Sequence, residues 1–150
     1  MTAVAAACRV GVGVVLLLAG FAKLRQPAWA ATAARFGTPR RLVPVVPWAE
    51  MVIGALLVAG AGGRIPVFVA LALLGAFTGV MAQRLASGEH TPCGCFGSAV
   101  SAPLGWDALV RNGVLLVAGL LALAGHGGSP AVGVAIGAVA GVAFVAVARR

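Results

Sequence analysis

The chain has 150 residues, of which 61% are hydrophobic and 9% are charged, and its mean hydropathy is +1.07. A soluble domain usually carries about 25% charged residues. The composition therefore excludes a soluble fold and predicts an all-α polytopic membrane protein in contact with the lipid bilayer. The net charge of +8 could suit nucleic acid. The basic residues lie between the apolar runs, however, as in cytoplasmic loops, and we predict no nucleic-acid partner.

The apolar runs predict a single membrane domain over residues 1–150. Five spans are expected, at about 4–22, 43–61, 65–82, 108–124 and 130–148. The first resembles a signal peptide, but its apolar run is long and Lys23-Leu24-Arg25 follows instead of a cleavage site. We therefore predict that it is retained as a membrane helix.

The basic connection after the first span carries a short helical pattern. Trp29, Ala33 and Phe36 fall at i, i+4 and i+7, which indicates an interfacial helix ended by Gly37 and Pro39. An irregular loop is the alternative for so short a segment.

The second span contains an acidic residue. Pro44 and Pro47 occupy its first turns, where a missing amide donor costs least, and Glu50 would lie roughly 10 Å into the helix. An intramembrane carboxylate is costly and usually has a partner, so a functional role is the default hypothesis. Arg111 and Lys23 are the cations on the matching side. Two interpretations remain open, a structural ion pair joining spans two and four, and a proton-handling role.

The longest polar connection, residues 83–107, contains the motif Thr91-Pro92-Cys93-Gly94-Cys95-Phe96-Gly97. Arg111 and Asn112 follow in the first turns of span four. In a structural interpretation, Arg111 anchors the helix end at the membrane surface and Asn112 makes a hydrogen bond to another helix. The fifth span opens at Pro130. Its glycines recur every four residues, a pattern that lets helices approach closely and predicts a homo-oligomer. These glycines are Gly133, Gly137 and Gly141.

The parity of five spans places the cysteine motif on a definite side. Lys23, Glu50, Cys93, Cys95 and Arg111 share one membrane face, whereas Cys8, Arg64 and His126 lie near the other. The cysteine side carries nine basic residues and the other side two, Arg9 and Arg64. The nine are Lys23, Arg25, Arg35, Arg40, Arg41, Arg84, Arg111, Arg149 and Arg150. The positive-inside rule therefore predicts a cell-membrane protein with the cysteine motif at the cytoplasmic face.

The Cys93–Cys95 pair is a candidate redox dithiol. A Cys-Gly-Cys disulfide closes a very small ring, for which Gly94 supplies backbone freedom. Strained, exposed disulfides are oxidising and labile, which favours exchange over a structural role. Nearby cations, with Arg84, Arg111 and Lys23 as candidates, would favour the nucleophilic thiolate. Two inert thiols in a loop are the structural alternative.

A metal site competes with this interpretation. His90, Cys93 and Cys95, with Glu89 adjacent, could bind zinc or copper. A structural zinc site needs four ligands and the chain has no second cysteine pair, so no metal is predicted and the cofactor is left unassigned. Cys8 lies across the membrane, beyond the roughly 7 Å between Cα atoms that a disulfide needs. It is expected to be a small apolar filler.

Short motifs in order along the first four spans resemble those of the MauE/DoxX-like redox-associated membrane proteins, and MauE-type members most closely. They are Arg9 with Gly11, Ala19-Gly20-Phe21-Ala22-Lys23-Leu24, Trp48-Ala49-Glu50 with Gly54, Cys93-Gly94-Cys95-Phe96-Gly97, and Arg111-Asn112. The resemblance extends to about Ala124, and the fifth span lies outside it.

The resemblance implies a DoxX-like four-helix membrane bundle, here with a fifth transmembrane helix added. It also implies a role in methylamine utilisation, in processing the disulfide-rich, periplasmic small subunit of methylamine dehydrogenase. The implied chemistry is thiol–disulfide exchange with a thioredoxin-like or other redox protein. That role calls for cysteines near the outer face, against the charge count, and we keep the orientation derived from charge.

The leading hypothesis is thus a membrane thiol–disulfide oxidoreductase. Cys93 and Cys95 would cycle between dithiol and disulfide, Glu50 would move protons, and Arg111 or Lys23 would stabilise the thiolate. A non-enzymatic scaffold for a redox partner is one alternative. A small-molecule or metal carrier that uses Glu50 and the cysteine loop is another.

Overall fold

The computed structural model describes residues 2–35, 37–88 and 106–125. This part of the chain contains five α-helices and no strand. They are α1 (Thr2–Leu24), α2 (Trp29–Arg35), α3 (Val45–Ala59), α4 (Ile65–Ala86) and α5 (Trp106–Ala124). The cysteine motif and the predicted fifth span, with Gly133, Gly137 and Gly141, lie outside the described residues.

Three of these helices are long and apolar enough to cross a membrane. They cover Ala3–Leu24, Ile65–Ala86 and Trp106–Ala124. The apolar helix α3 is shorter, with 15 residues or about 22 Å at 1.5 Å per residue. Together with the composition, these helices make the chain an all-α membrane protein, as predicted.

Helices α1, α3, α4 and α5 form a bundle in which each packs against two of the others. Helix α1 packs against α3 and α5, while α4 packs against α5 and, less extensively, α3. The core is formed by aliphatic side chains from all four helices. Val12, Leu16, Ile53, Leu57, Val67, Leu74 and Leu115 are among its buried members.

Glycines allow α1 and α3 to approach each other closely. A Cβ atom added to Gly54 would lie 2.7 Å from the carbonyl oxygen of Gly13, and one added to Gly20 would lie 2.7 Å from that of Pro47. Real Cβ atoms essentially never come so near another heavy atom. Small residues permit this backbone contact between membrane helices, where dispersion forces replace the hydrophobic effect.

The short helix α2 confirms that the segment with Trp29 and Ala33 is helical rather than an irregular loop. Its position at the membrane interface stays a prediction. Ala33 is buried, and the Trp29 indole Nε1–H donates a hydrogen bond to the carbonyl oxygen of Val43 at 3.1 Å. This bond ties α2 to the segment that leads into α3. Phe36, the third member of the pattern, lies outside the described residues.

Several helix ends differ from the expected ones because hydropathy alone placed them. Helix α1 is two residues longer at each end, and α3 is two residues shorter at each end. Helix α4 continues past residue 82 to Ala86, and α5 begins at Trp106, two residues before the expected start. Leu85 and Leu109 pack against Met81 and Ala108 in a small second cluster. Leu85 lies in the extension of α4, so its packing in this cluster holds that extension, with the polar Gln83 and Arg84, in the helix.

Candidate functional site

A buried ion pair joins α1 to α3. The Lys23 Nζ donates hydrogen bonds to both carboxylate oxygens of Glu50, at 2.6 Å to Oε1 and 2.7 Å to Oε2. Both side chains are 1% exposed. Removing two charges from water costs several kcal/mol per ion, and this bidentate contact is the geometry that offsets the cost.

Two aromatic rings complete the surroundings of the ammonium group. The Lys23 Nζ lies 5.2 Å from the ring centroid of Trp29 and 5.4 Å from that of Phe77. The faces of aromatic rings attract cations at such distances. Helices α2 and α4 therefore enclose the cation that α1 and α3 bring to Glu50.

Local structure explains why these two side chains meet. Lys23 lies in the last turn of α1, and Glu50 follows the start of α3 by five residues, or about 7.5 Å along the axis. That depth is shallower than the roughly 10 Å expected from a span beginning at Val43. The two backbones approach closely at Gly20. A Cβ added there would lie 2.7 Å from the carbonyl oxygen of Pro47 and 3.2 Å from the Cβ of Glu50, so no larger residue fits.

The structural ion pair expected between spans two and four joins spans one and two instead. Lys23, not Arg111, is the partner of Glu50. Arg111 Nη1 lies 3.0 Å from Oδ2 of Asp107 on its own helix, and its buried Nε has no hydrogen-bond partner. The sequence could not decide this, since both cations were placed near the same membrane face.

The neighbouring Asn112 makes the interhelical hydrogen bond that was one interpretation of the Arg111-Asn112 pair. Its Nδ2–H donates to Thr78 Oγ1 at 3.0 Å, and the Thr78 hydroxyl donates to the Leu74 carbonyl at 2.7 Å. Asn112 is buried. These bonds join α5 to α4 and satisfy polar groups that lipid could not.

The connection with the cysteine motif leaves and re-enters the bundle at the end that carries the ion pair. Met81 lines the same cavity as Lys23. It also packs with Ala108 near the start of α5. Residues 88 and 106, which flank the connection, are thus at the end marked by Lys23, here called the Lys23 end. Cys93 and Cys95 themselves lie outside the described residues.

The opposite end of the bundle is marked by Arg9. This guanidinium approaches Gly60, which ends α3 with a φ of 70°. Arg9 also lines a cavity of about 10 Å³ with Val67 and Ala122. Cys8 is partly buried against the hydrophobic core. The expected separation of Cys8 from the Lys23 end and its role as an apolar filler are confirmed.

Two larger cavities lie beside the ion pair, one on each side of Trp29. The first, about 310 Å³, lies between α2 and α4 and is lined by apolar side chains such as Phe77 and Val80. The second, about 710 Å³, lies between α2 and the start of α3 and includes Arg40 and Trp48. Lys23 and Trp29 line both cavities.

The described residues contain no group of three or more His, Cys, Asp or Glu side chains that could hold a metal ion. The alternative metal set, Glu89, His90, Cys93 and Cys95, falls outside them.

Sequence reasoning missed the two contacts of the ammonium group and the hydroxyl partner of Asn112. Phe77 and Thr78 lie within an apolar run with no local signal to distinguish them. Trp29 was recognised as part of an interfacial helix, but its position beside Lys23 depends on how that helix folds back.

The family comparison agrees with the motifs of the first four helices. A family model described as "Methylamine utilisation protein MauE" matches residues 1–125, which include α1 to α5. No curated protein matches the chain, and no solved structure matches it.

Proposed function

Since the chain belongs to the MauE family, we propose that it is a membrane thiol–disulfide redox protein that supports methylamine utilisation. Its Cys93–Cys95 pair would exchange with the cysteines of a partner that contains disulfides once mature, of the kind represented by the small subunit of methylamine dehydrogenase. A thioredoxin-like protein is the proposed redox partner. The observation that carries the proposal is the buried Lys23–Glu50 pair at the end where the cysteine connection leaves and returns.

The bonds that form and break in the exchange join four sulfur atoms. A thiolate of the partner attacks one sulfur of the Cys93–Cys95 disulfide, which forms a mixed disulfide and releases the other cysteine as a thiolate. The partner's second thiolate then attacks the mixed disulfide. The partner gains a disulfide and the chain gains a dithiol, so two electrons pass to Cys93 and Cys95, which take up two protons.

The ion pair is proposed to serve the proton side of this exchange. Each turnover binds or releases protons at the cysteines, and a positioned acid or base accelerates such transfers. The Lys23 ammonium can donate a proton, and the Glu50 carboxylate that holds it can accept one. Arg111 is proposed to favour the thiolate form, because a guanidinium lowers the free energy of a nearby anion.

The proposal is tested by trapping thiols in the purified full-length protein. After equilibration with oxidised glutathione and alkylation, we expect mass spectrometry to find a Cys93–Cys95 peptide lighter by two hydrogen atoms. A reduced thioredoxin-like protein should convert it back to the alkylated dithiol. Cys93→Ser and Cys95→Ser should each abolish this conversion.

The chain offers a matched control in its third cysteine. Cys8→Ser removes a thiol at the Arg9 end and should leave the exchange rate unchanged. If Cys93 and Cys95 stay as thiols at every glutathione ratio, the redox proposal is wrong. Co-purification of a redox partner with the Cys93→Ser/Cys95→Ser variant would instead identify a scaffold, and stoichiometric metal would identify a metal carrier.

A further inference from the structure

The larger cavity beside the ion pair is an open groove with two chemically different walls. It is lined by the last turn of α1, by α2 and by the first turns of α3, and has a volume of about 710 Å³. Arg40 and Gln26 are the polar residues beside Lys23, whereas Ala30, Pro44 and Trp48 are among the apolar ones. We call it the interfacial groove, since it lies where the membrane helices end.

The groove lies in a segment whose arginines pair with no carboxylate among residues 2–35, 37–88 and 106–125. The whole chain holds three acidic residues, and two of them, Glu50 and Asp107, pair with Lys23 and Arg111. The connection from residue 25 to 42 carries four arginines and no acid. They are Arg25, Arg35, Arg40 and Arg41. Within the described part of the chain, none of the four pairs with a carboxylate.

An exposed apolar row continues from the groove along α3. Val45, Trp48, Val52 and Leu56 follow one another at spacings of three and four residues, and they are 52%, 60%, 56% and 37% exposed. Residues at these spacings lie on one side of a helix. A molecule with an anionic head beside Arg40 could therefore extend an apolar chain along this row.

We propose that the interfacial groove binds an anionic phospholipid. Its phosphate would lie beside Arg40, and an acyl chain would run along Trp48 and Val52. Charge complementarity supports this occupant, because basic residues at the end of a membrane helix attract anionic headgroups. Trp48 suits the position since indole rings favour the headgroup region. The inference does not depend on the thiol chemistry.

Native mass spectrometry of the detergent-solubilised full-length protein tests the proposal. The probes are phosphatidylglycerol and phosphatidylcholine with the same acyl chains. We expect phosphatidylglycerol to bind at least about fivefold more tightly, the factor that one basic residue contributes near an anionic lipid surface. Arg40→Gln should weaken phosphatidylglycerol binding about fivefold, whereas Arg40→Lys, which keeps the charge, should retain most of it.

Arg64→Gln is the matched control, because it removes the same charge from the turn before α4, at the opposite end of the bundle. The affinity of this variant for phosphatidylglycerol should stay within about twofold of that of the unmodified chain. A change of about twofold is smaller than the contribution of one basic residue near an anionic lipid. Equal binding of both lipids, or equal losses in Arg40→Gln and Arg64→Gln, would overturn the proposal. Displacement by excess inorganic phosphate would do so too, since it would show a site for a free anion.

Discussion

At the scale of single residues, the main feature is the burial of two opposite charges against each other. Lys23 and Glu50 are both almost fully buried, so each depends on the other for compensation. A buried ion pair is weak evidence for stability, because well-packed apolar residues of similar size often serve as well. The pair therefore has a structural and a chemical explanation, and the two predict different mutant behaviour.

The first prediction concerns stability. Lys23→Met and Glu50→Leu should each lower the free energy of unfolding by about 3–5 kcal/mol, because each leaves an uncompensated buried charge. The double variant should recover most of this loss, since no charge remains. Thermal unfolding in detergent, followed by circular dichroism, measures all three variants. A double variant as unstable as the sum of the single ones would show that the pair is not coupled.

The second prediction uses the same double variant to separate structure from chemistry. If the pair handles protons, the double variant Lys23→Met/Glu50→Leu should fold, but its thiol exchange should be at least about tenfold slower. This is a cautious threshold, since positioned acid–base groups contribute about 10²–10⁴-fold to a rate. Stopped-flow alkylation of Cys93 and Cys95 gives the rate. A stable double variant with an unchanged rate would assign the pair a purely structural role.

At the scale of helices, the contact between α1 and α3 determines which cation reaches Glu50. Gly13, Gly20 and Gly54 remove the side chains that would hold these helices apart. Contact this close places Lys23, in the last turn of α1, against Glu50 near the start of α3. Helix α2 then covers the pair because the Trp29 indole donates a hydrogen bond to the carbonyl oxygen of Val43.

The third prediction tests this packing. Gly54→Ala should lower the free energy of unfolding by about 1–3 kcal/mol, because its methyl group would overlap the carbonyl of Gly13 and force the helices apart. Gly75→Ala is the control, since a Cβ there meets nothing within 4 Å and alanine favours the helix by up to about 1 kcal/mol. Equal effects in thermal unfolding would contradict the close contact.

At the scale of the whole molecule, the bundle brings the candidate site residues to one of its two ends. Lys23, Glu50 and both flanks of the cysteine connection are at the Lys23 end. Arg9 is at the other. The unbalanced positive charge of the Lys23 end predicts that it faces the cytoplasm.

The fourth prediction tests this sidedness in cells with single cysteines in a Cys8→Ser/Cys93→Ser/Cys95→Ser background. Gln26→Cys and Ser87→Cys should resist a membrane-impermeant maleimide until the cells are opened, whereas Ala61→Cys should react from outside. All three positions lie outside the helices in turns or connections. The reverse pattern would place the cysteine motif at the outer face, and labelling of Gln26→Cys and Ser87→Cys from opposite sides would contradict the fold.

The sequence alone determined the membrane class, the approximate spans and the shared face of Lys23 and Glu50, and it offered a helix at α2 as one of two interpretations. These follow from local hydropathy, from helical spacing and from the parity of the spans, which need no tertiary contact. Tertiary structure alone decided that Lys23 rather than Arg111 neutralises Glu50, that Phe77 and Trp29 enclose the ammonium group, and that Leu85 packs the extension of α4 beyond its apolar run. The physical reason is that both cations lie near one membrane face. The choice between them depends on how the helices rotate and how closely their backbones approach, and packing of side chains from distant parts of the chain sets both.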